Sequence, residues 1–264
     1  MRKLLFLGDI VGAPGRAAVL REIPRLRAES GLEWVVVNGE NAAGGNGITR
    51  ALATELAAAG ADVITLGDHT WDQRGFDHEI AATPAVCRPA NMPAQCPGAP
   101  FRIATGTGGS RLLVFTVLGR QFMRQHVACP FETADRLLRD LAGQYDAALV
   151  EIHAETTSEK IALGWFLDGR AAAVVGTHTH VATADARVLP RGTAHQTDAG
   201  MCGAHEGVIG RDTTAVIAAF LDGMPRRFDI ATGDVRLNGL LVTVGDDGLA
   251  TAAERFERAV SAGI

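Results

Sequence analysis

The chain has 264 residues and a net charge of −5 at pH 7, with 47% hydrophobic and 21% charged residues. That balance describes a globular protein long enough to bury a substantial core. Its acidity argues against a general nucleic-acid or membrane-surface binder, since either favours a basic face, although bound cations would still let it hold a small anion.

Met1-Arg2-Lys3 followed by Leu4–Leu7 has the start of a secretory signal, but the apolar run is four residues long and Asp9 follows. It reads as a buried first strand. Arg16–Glu29 then reads as a helix, with apolar positions at Val19, Leu20, Ile23 and Leu26. Trp34–Val37 is a strand, Ala51–Ala59 a helix and Val63–Leu66 a strand. Arg88–Gly109, rich in Pro, Gly and Ala, reads as an ordered surface excursion. Strands follow at Leu112–Val117, Ala147–Ile152 and Ala172–Val175, with helices at Thr133–Leu141 and Lys160–Phe166. Runs this short and apolar suit strands covered on both faces by other elements. From Arg187 the pattern turns β-like, through Arg187–Leu189, Thr193–Gln196 and Leu237–Val244, which predicts a second sheet packed on the first. No linker or repeat divides the chain, so residues 1–264 read as one α/β domain. Four dispersed cysteines without a C-x-x-C pair fit a reducing compartment. No run approaches the ~20 apolar residues of a membrane span, so the expected location is cytoplasmic.

Polar residues fall at informative places. In α/β sheets, ligands collect at the carboxyl ends of strands. Five predicted strands end there in potential metal ligands: Asp9, then Glu40-Asn41, Asp68-His69, His153 and His178-Thr179-His180. Singly, each has a plainer reading as a turn residue, a loop polar group or a satisfied core histidine. His178 and His180 are more telling, because alternate residues of an extended segment share a face. Together, three carboxylates, a carboxamide and four imidazoles at one sheet edge would be costly without cations. The donor mixture, free of thiolate, suits iron first, or manganese or zinc. The number of donors suits two ions ~3.5–4 Å apart, an arrangement that clamps a phosphoryl group and activates a bridging water.

Several stretches, "FLGDIVGAPGR", "VVNGENAAGGNGIT", "GADVITLGDHTWD", "RPANMP", "EIHAETTSEKIALGWFLDGRAAAVVGTHTHVATAD" and "GVIGRD", run through nearly the whole chain. In this order they resemble the calcineurin-like metallophosphoesterase superfamily, and within it the bacterial YmdB-type branch associated with hydrolysis of 2′,3′-cyclic nucleotides. The first motif lacks the superfamily's usual histidine, as that branch does: it is Asp9-Ile10-Val11. The resemblance implies a four-layer αββα fold of two packed sheets flanked by helices, and a homo-oligomer. It implies Asp9, Glu40, Asn41 and His180 on one metal ion, and Glu40 as bridge with Asp68, His153 and His178 on the other. His69 takes the part of general acid toward the leaving oxygen, with a cyclic nucleotide or another small phosphodiester as substrate.

One departure bears on the site. The branch carries Asn where this chain has Asp68, which adds a third carboxylate. Tighter metal binding, weaker Lewis acidity and a more basic His69 are the expected consequences. That charge also leaves open a metal-binding regulatory protein of the same fold with little turnover. The branch commonly has an aromatic residue close to position 205, which makes His205 a candidate substrate contact, but it reads better as a surface-loop histidine. Lys160 and Arg88 are candidate phosphate contacts but read better as solvated charges, while Trp71 and Asp72 brace the loop after Val63–Leu66. The glycines from Gly8 to Gly15 lack a phosphate-loop ending and dinucleotide spacing, no Gly-x-Ser-x-Gly elbow occurs, and nothing joins His195 and Asp198 to a serine as a triad.

Overall fold

A computed structural model describes residues 1–260. β1 (Arg2–Leu7) passes through Gly8 into the short β2 (Asp9–Ile10) and helix α1 (Gly12–Ser30). Next come β3 (Trp34–Asn38), α2 (Arg50–Ala58), β4 (Val63–Thr65), the one-turn α3 (Phe76–Glu79) and β5 (Val86–Cys87). The middle of the chain forms β6 (Arg102–Thr105), β7 (Arg111–Leu118), α4 (Pro130–Asp140), β8 (Ala147–His153), α5 (Thr157–Phe166) and β9 (Ala173–Thr177). The remainder forms β10 (Arg187–Val188), β11 (Ala194–Gln196), β12 (Met201–Glu206), α6 (Thr213–Asp222), β13 (Gly233–Val244) and β14 (Ala250–Ala259).

One sheet runs β2-β12-β13-β1-β3-β4-β5, with β14 also paired to β13; the other runs β10-β11-β9-β8-β7-β6. Strands β1, β3, β4 and β5 are parallel, as are β7, β8, β9 and β11, so both sheets present carboxyl ends. Side-chain alternation shows why the layers stack as they do. On β1, Leu5 and Leu7 pack with Val19, Ile23 and Leu26 of α1. Leu4 and Phe6 face the other way, into the space between the sheets, against Leu112, Val114, Leu149 and Val175. On β7 the intervening residues Leu113, Phe115 and Val117 meet Leu137 of α4 and Leu163 of α5. Three apolar seams thus separate four layers, α/β/β/α.

The strands after Arg187 do not make a sheet of their own. Only β10 and β11 join the middle strands, whereas β12, β13 and β14 complete the sheet of β1. Helix α1 begins at Gly12, four residues before its predicted start. Its first turn docks by closeness, not by apolar bulk: a Cβ on Gly15 would run into the Cys202 carbonyl. Helix α6, started by Asp212 accepting from Thr214 N and ended by Gly223 in the left-handed region, falls inside the region expected to be β-like. Its Phe220 and Leu221 are exposed. The Arg88–Gly109 excursion is not wholly superficial, since Arg88, Asn91 and Met92 are buried and β6 edges the second sheet. Among the described residues no helix is long and apolar enough to cross a membrane.

Candidate metal centre

The carboxyl ends of β1, β3, β4, β8 and β9 meet at one edge, and the predicted ligands lie just beyond them or on their last residue. Glu40 sits at the middle. Its Oε1 is 3.1 Å from His153 Nε2 and 3.1 Å from Asn41 Nδ2, and its Oε2 accepts the His69 backbone N–H at 3.3 Å. Asp68 Oδ1 lies 3.0 Å from His153 Nε2 and 3.3 Å from His178 Nδ1. Glu40, Asp68, His153 and His178 each offer a ligand atom, and these atoms lie within 4.8 Å of one another. Asn41 Nδ2 is in turn 3.2 Å from His180 Nε2. Half a turn of that amide presents Oδ1, the metal-binding atom, in the same place. Gly67 makes room for the cluster, since a Cβ there would run into Glu40 Oε2 and His153 Nε2.

Each imidazole has an anchored outer nitrogen, which fixes the inner one as an acceptor in the neutral ring. Thr177 Oγ1 donates to Glu151 Oε1 at 2.6 Å, so at 2.9 Å it accepts from His153 Nδ1 and leaves the lone pair on Nε2. Asn38 Nδ2 and Thr116 Oγ1 hold the same buried Glu151 carboxylate at 2.6 and 2.9 Å. His178 Nε2 is 3.0 Å from Glu155 Oε2, and His180 Nδ1 donates to Ile209 O at 3.2 Å. Burial pushes the His180 ring below its ordinary basicity, toward the neutral form.

Charge in this pocket is unbalanced without a cation. Asp9 is fully buried; its Oδ2 accepts the His178 N–H at 3.2 Å, while Oδ1 has no hydrogen-bond partner. Burial pushes the Asp9 carboxyl up to about 8, opposed by His153 and assisted by the charges of Glu40, Asp198 and Glu151. His153 is drawn well above its ordinary value: burial opposes this, but Glu40, Asp68 and Asp9 outweigh it. The carboxylates demand positive charge, as a proton on His153 or as metal. Bare Asp9 Oδ1, three inward nitrogens and three carboxylates without a thiolate fit divalent cations of the iron, manganese or zinc type.

The His178-Thr179-His180 segment is not extended as expected. β9 ends at Thr177, and His178 and His180 take φ of 93° and 65°, in the left-handed region that is strained for residues with a Cβ. A buried ion pair holds them there. Asp198 Oδ2 accepts from Thr179 N at 3.2 Å, from Thr179 Oγ1 at 2.5 Å and from Lys160 Nζ at 2.6 Å. Lys160 is therefore buried and paired, contrary to its reading as a solvated charge, and Arg88 is buried as well. Asp198 faces Lys160, whereas His195 Nδ1 meets Val174 O at 2.9 Å, so the two form no triad. His205 lies on β12 rather than on a surface loop, with Nδ1 donating to Gly203 O and Nε2 accepting from Asn238 Nδ2.

His69 lines a cleft of about 320 Å³ together with Glu40, Asn41, Glu155, His178 and His180. Asp72 Oδ2 braces its Nδ1 at 2.7 Å, and Trp71 packs on the core behind the loop. Burial lowers the basicity of His69, but the charges of Glu40 and Asp68 and the Asp72 hydrogen bond raise it further, for a net upward shift. Sequence alone does not single out Glu151, Thr177, Glu155 and Asp198 as part of the site. Glu151 and Thr177 sit two residues and one residue before the predicted ligands His153 and His178, and that spacing is the available signal.

Two helix-flanked sheets with carboxylates and imidazoles gathered at their carboxyl ends define a protein of the metallophosphoesterase type. The chain belongs to the YmdB-like protein family, whose profile matches residues 5–256. It is 43% identical over 244 residues to the 2′,3′-cyclic-nucleotide 2′-phosphodiesterase of Bacillus subtilis (strain 168), covering 92% of each chain. A solved structure of a hypothetical protein from Thermus thermophilus superposes with a TM-score of 0.90 at 41% identity, covering 97% of this chain and 99% of that one. A phosphatase structure from Mycoplasma pneumoniae gives a TM-score of 0.89 at 29% identity, over 98% and 93%.

Proposed function

We propose that this chain is a metal-dependent phosphodiesterase acting on small phosphodiesters, 2′,3′-cyclic nucleotides first among them, and releasing 3′-nucleotides. The observation that carries this reading is the convergence of ligand atoms of Glu40, Asp68, His153 and His178 within 4.8 Å, beside a buried Asp9 oxygen with no hydrogen-bond partner. Asp9, Glu40, Asn41 and His180 would hold one ion and Glu40, Asp68, His153 and His178 a second, with iron the favoured metal. Bound there, such ions supply Lewis-acid polarisation of the phosphoryl oxygens and a nucleophile at neutral pH.

The chain's own residues do the rest. Glu151, through Thr177, keeps the His153 ring in the tautomer that faces the cluster. Asp198 and Lys160 keep the backbone between His178 and His180 in place. His69, braced by Asp72, donates a proton to the ribose 2′-oxygen as its bond to phosphorus breaks, while water supplies the oxygen that replaces it. The relative from Bacillus subtilis supports the substrate class.

Metal content and release of 3′-AMP from 2′,3′-cyclic AMP test the reading together. His153→Ala is expected to lose metal and turnover; His69→Asn is expected to keep metal and lose at least a hundredfold in kcat. An inert protein without metal would sink the proposal. A fully loaded centre that leaves several phosphodiesters intact would favour a regulatory metal-binding protein, the reading to which the additional carboxylate of Asp68 lends weight.

A further inference from the structure

Arg88 is 3% exposed, yet among the described residues no carboxylate lies within ion-pair distance of it. Its guanidinium donates from Nη1 to Pro89 O at 2.9 Å and from Nε to Cys96 O at 3.3 Å. A guanidinium carries five N–H donors, so most of its capacity is unspent. A buried cation balanced only by carbonyl dipoles is costly, and burial lowers the guanidinium's basicity.

This residue lines a cavity of about 640 Å³ between the Arg88–Phe101 stretch and α4. The volume falls within the range of small-molecule sites. Arg136 and His126, both exposed, line the same cavity, and neither has an ion-pair partner among the described residues. Thr133, on the wall one helical turn before Arg136, is buried, and its hydroxyl has no protein partner among the described residues. No aspartate or glutamate lines the cavity. Asn91, the other buried polar side chain there, is already spent on Leu118 and Ala128.

We propose that this cavity is a binding site for the phosphate of a small phosphomonoester, held by Arg88 and Arg136 with Thr133 and His126 completing the donor set. Two guanidinium forks, a hydroxyl and an imidazole suit a tetrahedral dianion, which offers oxygens in several directions and needs more than one cation. A carboxylate would leave most of these donors unpaired. The site is separate from the metal centre but one loop away. Gln125 Nε2 donates to Asp68 O at 3.1 Å, and its neighbour His126 faces the cavity. Occupancy therefore bears on the segment that touches the Asp68 loop. The proposal does not depend on the centre's turning over phosphodiesters.

Calorimetric titration of the metal-loaded protein with adenosine 3′-monophosphate, and with adenosine as control, tests it. The wild type is expected to bind the nucleotide and not the nucleoside. Arg136→Ala is expected to weaken one class of sites about tenfold, the scale of one charge-assisted hydrogen bond, and Arg136→Glu to abolish it. His126→Ala is expected to weaken the same class. Arg136 and His126 are exposed, so their replacement leaves the fold intact; unchanged thermal melting checks this. Arg88→Lys, which keeps the charge but not the fork, is expected to weaken the class as well. Identical isotherms for wild type and Arg136→Glu, or adenosine binding as tightly as its 3′-monophosphate, would overturn the proposal. These titrations are independent of whether 2′,3′-cyclic AMP is cleaved.

Discussion

Asp68 shows how one atom's worth of difference changes a site. Replacing the amide nitrogen of an asparagine by oxygen leaves the shape intact and adds a full negative charge. Burial opposes ionisation of Asp68, but without metal its contacts with His153 and His178, donors there only as imidazolium, outweigh it and hold the carboxyl well below the ordinary range. It is therefore an anion at every working pH. That charge also helps raise His69, whose protonated form is the one able to give a proton away. Asp68→Asn is expected to lower metal affinity by on the order of tenfold. Removing the charge lowers the basicity of His69, so the alkaline limb of the kcat profile is expected to move to lower pH. Metal titration and a pH–rate series on the variant check both; an unmoved alkaline limb would exclude the coupling between Asp68 and His69.

The elements that carry the site are largely legible because strands announce their ends. A strand end and a glycine directly before an acid mark Asp9, Glu40 and Asp68 from the residues alone. What is not legible is the backbone between His178 and His180. Residue type signals left-handed conformation chiefly through glycine, and neither histidine is one. The device that holds the strained segment, Lys160 on α5 with Asp198 beyond β11, joins residues 38 apart in sequence. Nothing local marks such a pair, and a lone lysine in a helix reads as solvated. Lys160→Met leaves Asp198 buried without its cation and is expected to destabilise the fold by about 3–5 kcal/mol. The double variant Lys160→Met with Asp198→Asn removes both charges and is expected to recover much of that stability. It should not recover metal affinity, because Thr179 is no longer held by a carboxylate. Chemical denaturation and metal titration on the single and double variants separate the two effects. Full recovery of affinity in the double variant would show that the pair does not position the histidines.

At the scale of the molecule, two packed sheets are legible but their membership is not. Alternation marks β13 as a strand without saying that it lies beside β1, a pairing between residues such as Leu5 and Leu241. That pairing brings the two ends of the chain into one sheet and sets β12 next to β2, at the mouth of the metal centre. The candidate centre thus draws its predicted ligands from both sheets: Asp9, Glu40 and Asp68 from one, His153, His178 and His180 from the other. Ligand binding is consequently tied to the integrity of the whole stack, and the metal-free protein must hold its buried charges with protons alone. Asp9 in the fold binds a proton up to about 8, against 3.8 for an ordinary carboxyl, and His153 is likewise raised above 6.5. Through these two groups the folded state binds more protons than the unfolded one, so their contribution to stability declines as pH rises; His180, lowered by burial, opposes this only below about pH 6.5. Asp9 drives that decline from about pH 4 to pH 8, and His153 from pH 6.5 upward through its folded value. Asp68 is shifted the other way: its contribution is fully present above about pH 4 and is lost only as pH falls further, so it stays constant over this range. Chelated protein is therefore expected to lose several degrees of Tm between about pH 5 and pH 9, on the scale that a few kcal/mol produces in a domain of this size. With metal bound, the cations replace those protons, and the same series is expected to be flatter and to lie higher throughout. Parallel melting curves of chelated and reloaded protein across that range would contradict the assignment of Asp9 and His153 to a site that needs positive charge.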